Sequence, residues 1–280
     1  MTNGPGLSTD EIMAVALEMA GMQRIPDDSA VYVHGQGLRR VMMGVDIGAA
    51  ELLLARQLGV DGVIAHHPAG GAATLRFPRV LGRQVELMVE AGVPAEEARA
   101  VVQPTIARGM LRAQAANFDH TPSVARLLGM PFLNVHLPLD EVGRRVMIEA
   151  IDRYSETLGR EPTVADIVEA LSTIPEIRNA PTGVMVPVGR LDRPAGRVAV
   201  FHGAGTNGGF PVAQALAGAG VGTVVYIHVA PEEADRLRAL QLDRFNLVVS
   251  GHIASDLIGI NLFVAELERR GMEVIRMSGL

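Results

Sequence analysis

The pattern that most restricts this chain is a short aliphatic run that gives way to a helical stretch, repeated along the sequence and several times closed by a histidine or aspartate. Runs of this kind span Val41 to Asp46, Gly62 to Ala65, Pro131 to Val135, Gly183 to Val188, Arg197 to Phe201, Thr223 to Ile227, Asn246 to Val249 and Glu273 to Met277. They are rich in Val, Ile, Leu or Met, as strands covered on both faces require. Between them apolar positions recur at helical spacing. Helices are predicted over Ala49 to Gln57, Val80 to Ala91, Ala95 to Ala116 with a break at Pro104, Glu141 to Thr157, Val164 to Leu171, Pro211 to Ala217, Glu232 to Leu240 and Ala254 to Arg270. A further helix runs to about Met22, opened by Ser8 and Glu11 at the spacing of a capping box. Strands alternating with helices make βα units, so the fold class is α/β with largely parallel or mixed sheets flanked by helices. The polar, turn-rich stretch 189–196 is the best linker candidate and divides the chain into lobes 1–190 and 191–280.

Composition narrows the chemistry. With 280 residues and 48% hydrophobic side chains the chain supplies ample core. It has no cysteine, which removes disulfides, thiolate metal sites and a cysteine nucleophile, and leaves His, Asp and Glu as protein ligands for a metal. A net charge of −6 without basic runs, and no tryptophan, argue against a nucleic acid polymer as partner. No apolar stretch is long enough to span a bilayer and no signal-like start is present, so the expectation is a soluble, cytoplasmic protein without a membrane partner.

In an α/β sheet, ligands gather outside the carboxyl ends of the strands. Six of the eight histidines fall at such ends: His66, His67, His136, His202, His228 and His252. Pro68 cannot extend a ladder, so His66 and His67 leave their strand into a turn. Taken alone, this doublet serves equally as two metal ligands or as one buried imidazole beside an exposed one. His252 and Asp256 are four residues apart on one helical face, a spacing that suits one ion. By themselves they read first as a helix-start aspartate beside a histidine. His136 and Asp140 share that spacing across Pro138, which predicts a tight turn. Asp140 is included as a ligand, while Asp46 and His136 are kept as outer contacts or substrate contacts.

Residues 203–208 satisfy G-x-G-x-x-G through Gly203, Gly205 and Gly208. The following strand ends at His228 instead of at an acid that would hold a ribose, so a dinucleotide site is disfavoured. The loop's backbone amides suit a phosphate or another anion. His202 and His228 are the candidate proton carriers.

In order along the chain, Gly44-Val45-Asp46, His66-His67-Pro68, His136-Leu137-Pro138-Leu139-Asp140, the loop from Gly203, and Gly251-His252-Ile253-Ala254-Ser255-Asp256 resemble the Nif-three-like family, whose members are often described as GTP cyclohydrolase type 2 homologs. The resemblance implies an intracellular protein of two intertwined α/β lobes, a homo-oligomer that is often a ring-shaped hexamer, and two divalent ions. Carried over by motif, the ligands are His66, His67, Asp140, His252 and Asp256. It also implies a metal-dependent hydrolase acting on a small molecule of the nucleotide or heterocycle class. Zinc, manganese, iron, cobalt and nickel all suit imidazole with carboxylate. Four departures would make this chain a divergent member. Asp256 stands where the family usually has glutamate, one methylene longer, which leaves one or two ions per chain open. The Trp-Asp-Asn stretch near the start is missing, and residues 75–130 form a longer connection than usual. Where the family often has Thr-Gly, this chain has His228-Val229. A non-catalytic metal-binding assembly accounts for the same ligands without a substrate.

Overall fold

The computed structural model describes residues 6–203, 205 and 207–280. In chain order the elements are α1 (Thr9–Ala20), β1 (Ala30–Val33), β2 (Arg40–Gly44), α2 (Ala49–Leu58), β3 (Gly62–Ala65), α3 (Gly71–Val80), α4 (Gly82–Glu90), α5 (Ala95–Ala113), α6 (His120–Leu128), β4 (Phe132–Asn134), α7 (Leu137–Glu156), α8 (Val164–Ser172), α9 (Pro175–Arg178), β5 (Met185–Val188), β6 (Val198–Phe201), α10 (Gly209–Gly218), β7 (Thr223–Tyr226), α11 (Pro231–Ala239), β8 (Asn246–Val249), α12 (His252–Arg269) and β9 (Glu273–Met277). The α/β class stands. The division near residue 190 does not. One unit comprises residues 1–80, 107–139 and 259–280, and the other 81–106 and 140–258. The stretch 189–196 lies wholly in the second unit, where the carbonyls of Leu191 and Arg193 receive the first amides of α8. Among the described residues no helix is long and apolar enough to cross a membrane.

The first unit holds a five-stranded sheet in the order β1-β4-β3-β2-β9, parallel except for β1 against β4. Period-two alternation sends neighbouring residues to opposite faces. Val41 and Met43 pack with Ile12, Phe263 and Leu267 of α1 and α12, while Met42 packs with Leu52 and Ala125 of α2 and α6. The second unit repeats this plan with four strands, β5-β8-β7-β6, antiparallel only at β5. Val224 and Tyr226 face α4, α5, α10 and α11, and Val225 faces α7, α8 and α12.

Several local expectations are corrected. Helix α5 runs through Pro104 unbroken, because that proline lies on the exposed side, where water can take the carbonyl it leaves unbonded. The stretch 136–140 is not a tight turn. Pro138 is the second residue of α7, where its missing N–H has no intrahelical acceptor to lose, so Asp140 lies inside the first turn. The helix expected over Val80 to Ala91 begins at Gly82 and is preceded by α3, which carries Pro78.

In the first unit α12 meets the first turn of α7 at a glycine. A Cβ on Gly259 would overlap the Leu139 carbonyl oxygen and approach its carbon to 2.7 Å, both backbone atoms that cannot swing aside. Gly259→Ala is expected to cost about 2 kcal/mol or more. Gly218→Ala, with nothing within 4 Å of the added carbon, should be neutral or gain about 0.5 kcal/mol. Paired urea melts check both, and equal stabilities would contradict the close approach.

Candidate metal centre

Parallel pairing puts strand ends at one level. In the first unit Gly44, Ala65 and Asn134 are register partners, so the residues just past them emerge side by side. The ladder continues a half-step further, with the amides of His66 and His67 donating to the carbonyls of Gly44 and Val45 at 3.0 Å, and that of Val135 to Ala65 at 3.0 Å. His66 is fully buried, His136 is buried and His67 is partly open.

Each of these three rings is held at Nδ1 by a group that can only accept. His66 Nδ1 lies 3.0 Å from the Val135 carbonyl, His67 Nδ1 2.8 Å from Asp46 Oδ1, and His136 Nδ1 2.8 Å from Asp28 Oδ2. The ring must therefore carry its proton on Nδ1, and the neutral imidazole presents the Nε2 lone pair. Ring centroids are 5.2 Å apart for His66 and His67, 4.8 Å for His66 and His136, and 5.6 Å for His67 and His136. Each offers a ring nitrogen within 4.8 Å of those of the other two. Asp46 thus orients the His67 ring. His136, kept for an outer role, stands with the doublet.

Asp28 escaped the sequence reading. It is fully buried ahead of β1, a four-residue edge strand with no fully buried position, and nothing in Asp27-Asp28-Ser29 distinguishes it from a turn. Its surroundings are polar and connected. Ser29 Oγ receives the His136 amide at 2.9 Å, and Asn134 Nδ2 donates to the Asp28 carbonyl at 2.8 Å. Asn134 Oδ1 takes the Ala30 amide and the Tyr32 hydroxyl.

In the second unit Phe201, Tyr226 and Val249 are aligned in the same way, and His202, His228 and His252 follow them. The helical spacing of His252 and Asp256 is realised on α12, with Nε2 3.3 Å from Oδ2. Asp256 and Asp140 are both buried, at 2% and 4% exposure, and offer carboxylate oxygens within 4.8 Å of each other. Glu141 next door is satisfied by Arg83 at 2.7 Å and Arg144 at 2.9 Å. Two buried carboxylates this near each other are stabilised by a shared proton or a cation. With imidazole nitrogen beside them they suit a divalent ion.

His202 is 2% exposed, and among the described residues neither ring nitrogen has a hydrogen-bond partner. Its nearest charge is Asp256, whose Oδ1 lies 4.0 Å from Nε2. His228 is tethered. Asn207 Oδ1 receives the Gly209 amide at 2.8 Å, so its Nδ2 donates to His228 Nδ1, also at 2.8 Å, and leaves the ring proton on Nε2. Burial pushes His228 below the ordinary imidazole value and the nearby His252 adds to this, against an opposing pull from Asp256. The His228 and His252 rings are 4.8 Å apart.

The anion cradle expected at the Gly-rich loop spans residues 203–208. Ala204 and Thr206 lie outside the described residues. Of the amides that open α10, Gly209 is taken by Asn207, and Phe210 donates to Glu233 Oε1 at 3.3 Å. A carboxylate of the chain already occupies that helix end. The glycines meet packing needs: Gly203 has a φ of +74° and lies against Glu141, Gly205 has a φ of +78°, and Gly208 abuts the Val212 side chain.

No family model and no curated protein matches the chain. Solved structures do. A NIF3 superfamily protein from Sphaerobacter thermophilus is 64% identical, with a TM-score of 0.96 over 99% of this chain and 100% of that one. HcgD from Methanocaldococcus jannaschii in its reduced form is 12% identical, with a TM-score of 0.56 over 97% and 98% of the two chains. TTHA1606 from Thermus thermophilus is 16% identical, with a TM-score of 0.52 over 97% and 98%. The last two show the fold alone. Near-complete coverage at 64% identity goes further: the chain belongs to the NIF3 superfamily.

Proposed function

We propose that this chain is a metal-dependent hydrolase for a small molecule, with His66, His67, Asp140, His252 and Asp256 as ligands to one or two divalent ions. The observation that carries the reading is the buried pair Asp140 and Asp256, whose oxygens approach within 4.8 Å. Motif resemblance adds the imidazoles, and their Nδ1 hydrogen bonds give His66 and His67 the tautomer a ligand needs. Bound there, a divalent ion supplies Lewis acidity, polarising a substrate oxygen and acidifying water. Nucleotides and related heterocycles are the substrate class the family resemblance suggests.

The two histidines named as proton carriers take different parts. His228 holds its proton on Nε2 while its Nδ1 accepts from Asn207, so it acts as a neutral hydrogen-bond donor to a substrate oxygen. Among the described residues neither ring nitrogen of His202 is engaged by a hydrogen bond, and its Nε2 lies 4.0 Å from the Asp256 carboxylate. Proton transfer is therefore assigned to His202.

Metal-loaded protein screened on phosphoesters, cyclic amides and nucleotides should show turnover that a chelator abolishes, and His202→Ala should lower kcat about 100-fold while the metal is retained. Turnover that survives chelation and Asp256→Ala contradicts the reading. Full metal loading with no turnover in the screen replaces it with a non-catalytic metal-binding assembly.

His228 gives a second test. Its folded-state value lies below the ordinary 6.5, so as pH falls the unfolded chain takes up this proton first and the group costs stability below pH 6.5. In metal-free protein the His228 ring signals should titrate with a midpoint below 6.5, and His252→Ala should raise it. A midpoint at or above 6.5 contradicts the assignment.

A further inference from the structure

The sheet of the second unit is chemically equipped at both ends. His202, His228 and His252 follow its strands, while at the amino ends of β6, β7 and β8 a cavity of about 930 Å³ opens, lined entirely by residues of that unit. Gly222 and His228 bracket β7, so at about 3.3 Å per residue the cavity lies roughly 15–20 Å from the imidazoles. Small-molecule pockets run from about 300 to 1,000 Å³, and this one falls within that range. Backbone forms part of its floor. A Cβ on Gly222 would overlap the Ala195 carbonyl oxygen and come to 2.9 Å from Gly196 Cα, so two lining residues meet there without sending side chains into the space.

The walls are of two kinds. Ala217, Val221, Leu242 and Phe245 give an apolar surface. Arg193, half-buried, and Arg244, exposed, stand at the same cavity, and among the described residues neither guanidinium has a hydrogen-bond or ion-pair partner. Asp192, next to Arg193 in the chain, is held by Arg190 at 2.9 and 2.7 Å. The two guanidinium groups outnumber Asp243, the one carboxylate in the lining. Helix α10 also ends here, with Ala217 in its last turn and Gly220 just past it, and the carbonyl end of a helix carries partial negative charge. A bare inorganic anion therefore meets a mixed reception. A molecule that brings an anionic group to the arginines, an N–H or O–H to the carbonyl side and an apolar body between them satisfies the whole lining.

We infer that the second unit carries a small-molecule site at the amino ends of its strands, for an organic anion whose terminal phosphate, sulfonate or carboxylate is held by Arg193 and Arg244. Guanidinium suits this part because it stays charged and offers planar, paired N–H donors to oxyanions. The turn that carries Leu242, Asp243 and Arg244 follows Gln241, whose φ of +49° puts a non-glycine residue in the left-handed region, so this wall is shaped against local preference. The site uses no metal and no residue of the candidate metal centre, and it stands whether or not the hydrolase reading does.

The probe is anilinonaphthalene sulfonate, which joins an apolar body, one N–H and one sulfonate, and its counterpart is phenylnaphthylamine, the same body without the sulfonate. Fluorescence titration of the full chain is expected to show one saturable sulfonate site per chain, with the uncharged analogue bound about 10-fold more weakly. Arg193→Met/Arg244→Met should weaken the sulfonate about 10-fold and leave the analogue unchanged. Ala217→Phe, which fills the cavity from a half-buried helix position, should weaken both. Arg190→Met, which removes a guanidinium already bound to Asp192, should change neither. Wild-type crystals soaked with the sulfonate give a check that needs no variant to fold, and the dye should lie with its sulfonate between Arg193 and Arg244. No saturable binding, equal affinity for the two dyes, equal binding after the double arginine change, or a dye seated elsewhere overturns the inference. A second copy of the chain covering this face would leave the dye unbound and make the sedimenting mass fall in Ala217→Phe, and that outcome overturns it too.

Discussion

Parallel register is the constraint from which the site follows. Gly44, Ala65 and Asn134 sit at one level in one sheet, and Phe201, Tyr226 and Val249 sit at one level in the other. A one-residue slip would send each buried side chain to the wrong face, exchanging, for example, Met42 with Met43 between two different cores. The hydrophobic pattern therefore pins the strands, and the pinned strands deliver polar residues to their carboxyl ends. Histidine and aspartate are held there nearly dry, above sheets and helices whose cores are aliphatic.

What the strands deliver is then refined by hydrogen bonds of specific polarity. Three imidazoles are fixed by acceptors, whereas His228 is fixed by a donor, and this difference in partner decides which rings present a lone pair and which presents a proton. Burial does the rest. Asp140 and Asp256 are a few percent exposed with oxygens within 4.8 Å of each other, an arrangement that a cation or a shared proton would stabilise.

Much of this was legible in the residues. Gly62 to Ala65, Asn246 to Val249 and Glu273 to Met277 are strands with the predicted bounds, since continuous aliphatic runs closed by turn or polar residues leave few alternatives. The histidines at strand ends were visible for the same reason. Three things were not. The unit boundaries depend on which helices share a core, and α5, α7 and α12 each continue from one unit into the other, so no linker composition marks the division. Pro138 and Pro104 were read as breaks because sequence does not show whether the lost hydrogen bond lies at a helix start or on a solvated side. Asp28 is 108 residues from the His136 it orients, and pairing across that separation has no local signal.

The proposed function requires that Asp140 and Asp256 hold a cation. Anomalous diffraction at the absorption edges of first-row metals, collected on crystals of protein purified without added metal, tests it most directly. An anomalous peak within bonding distance of Asp140 and Asp256 that disappears in Asp256→Ala crystals is expected. Absence of any peak, with the two carboxylates drawn together at hydrogen-bond distance over a shared proton, would contradict it.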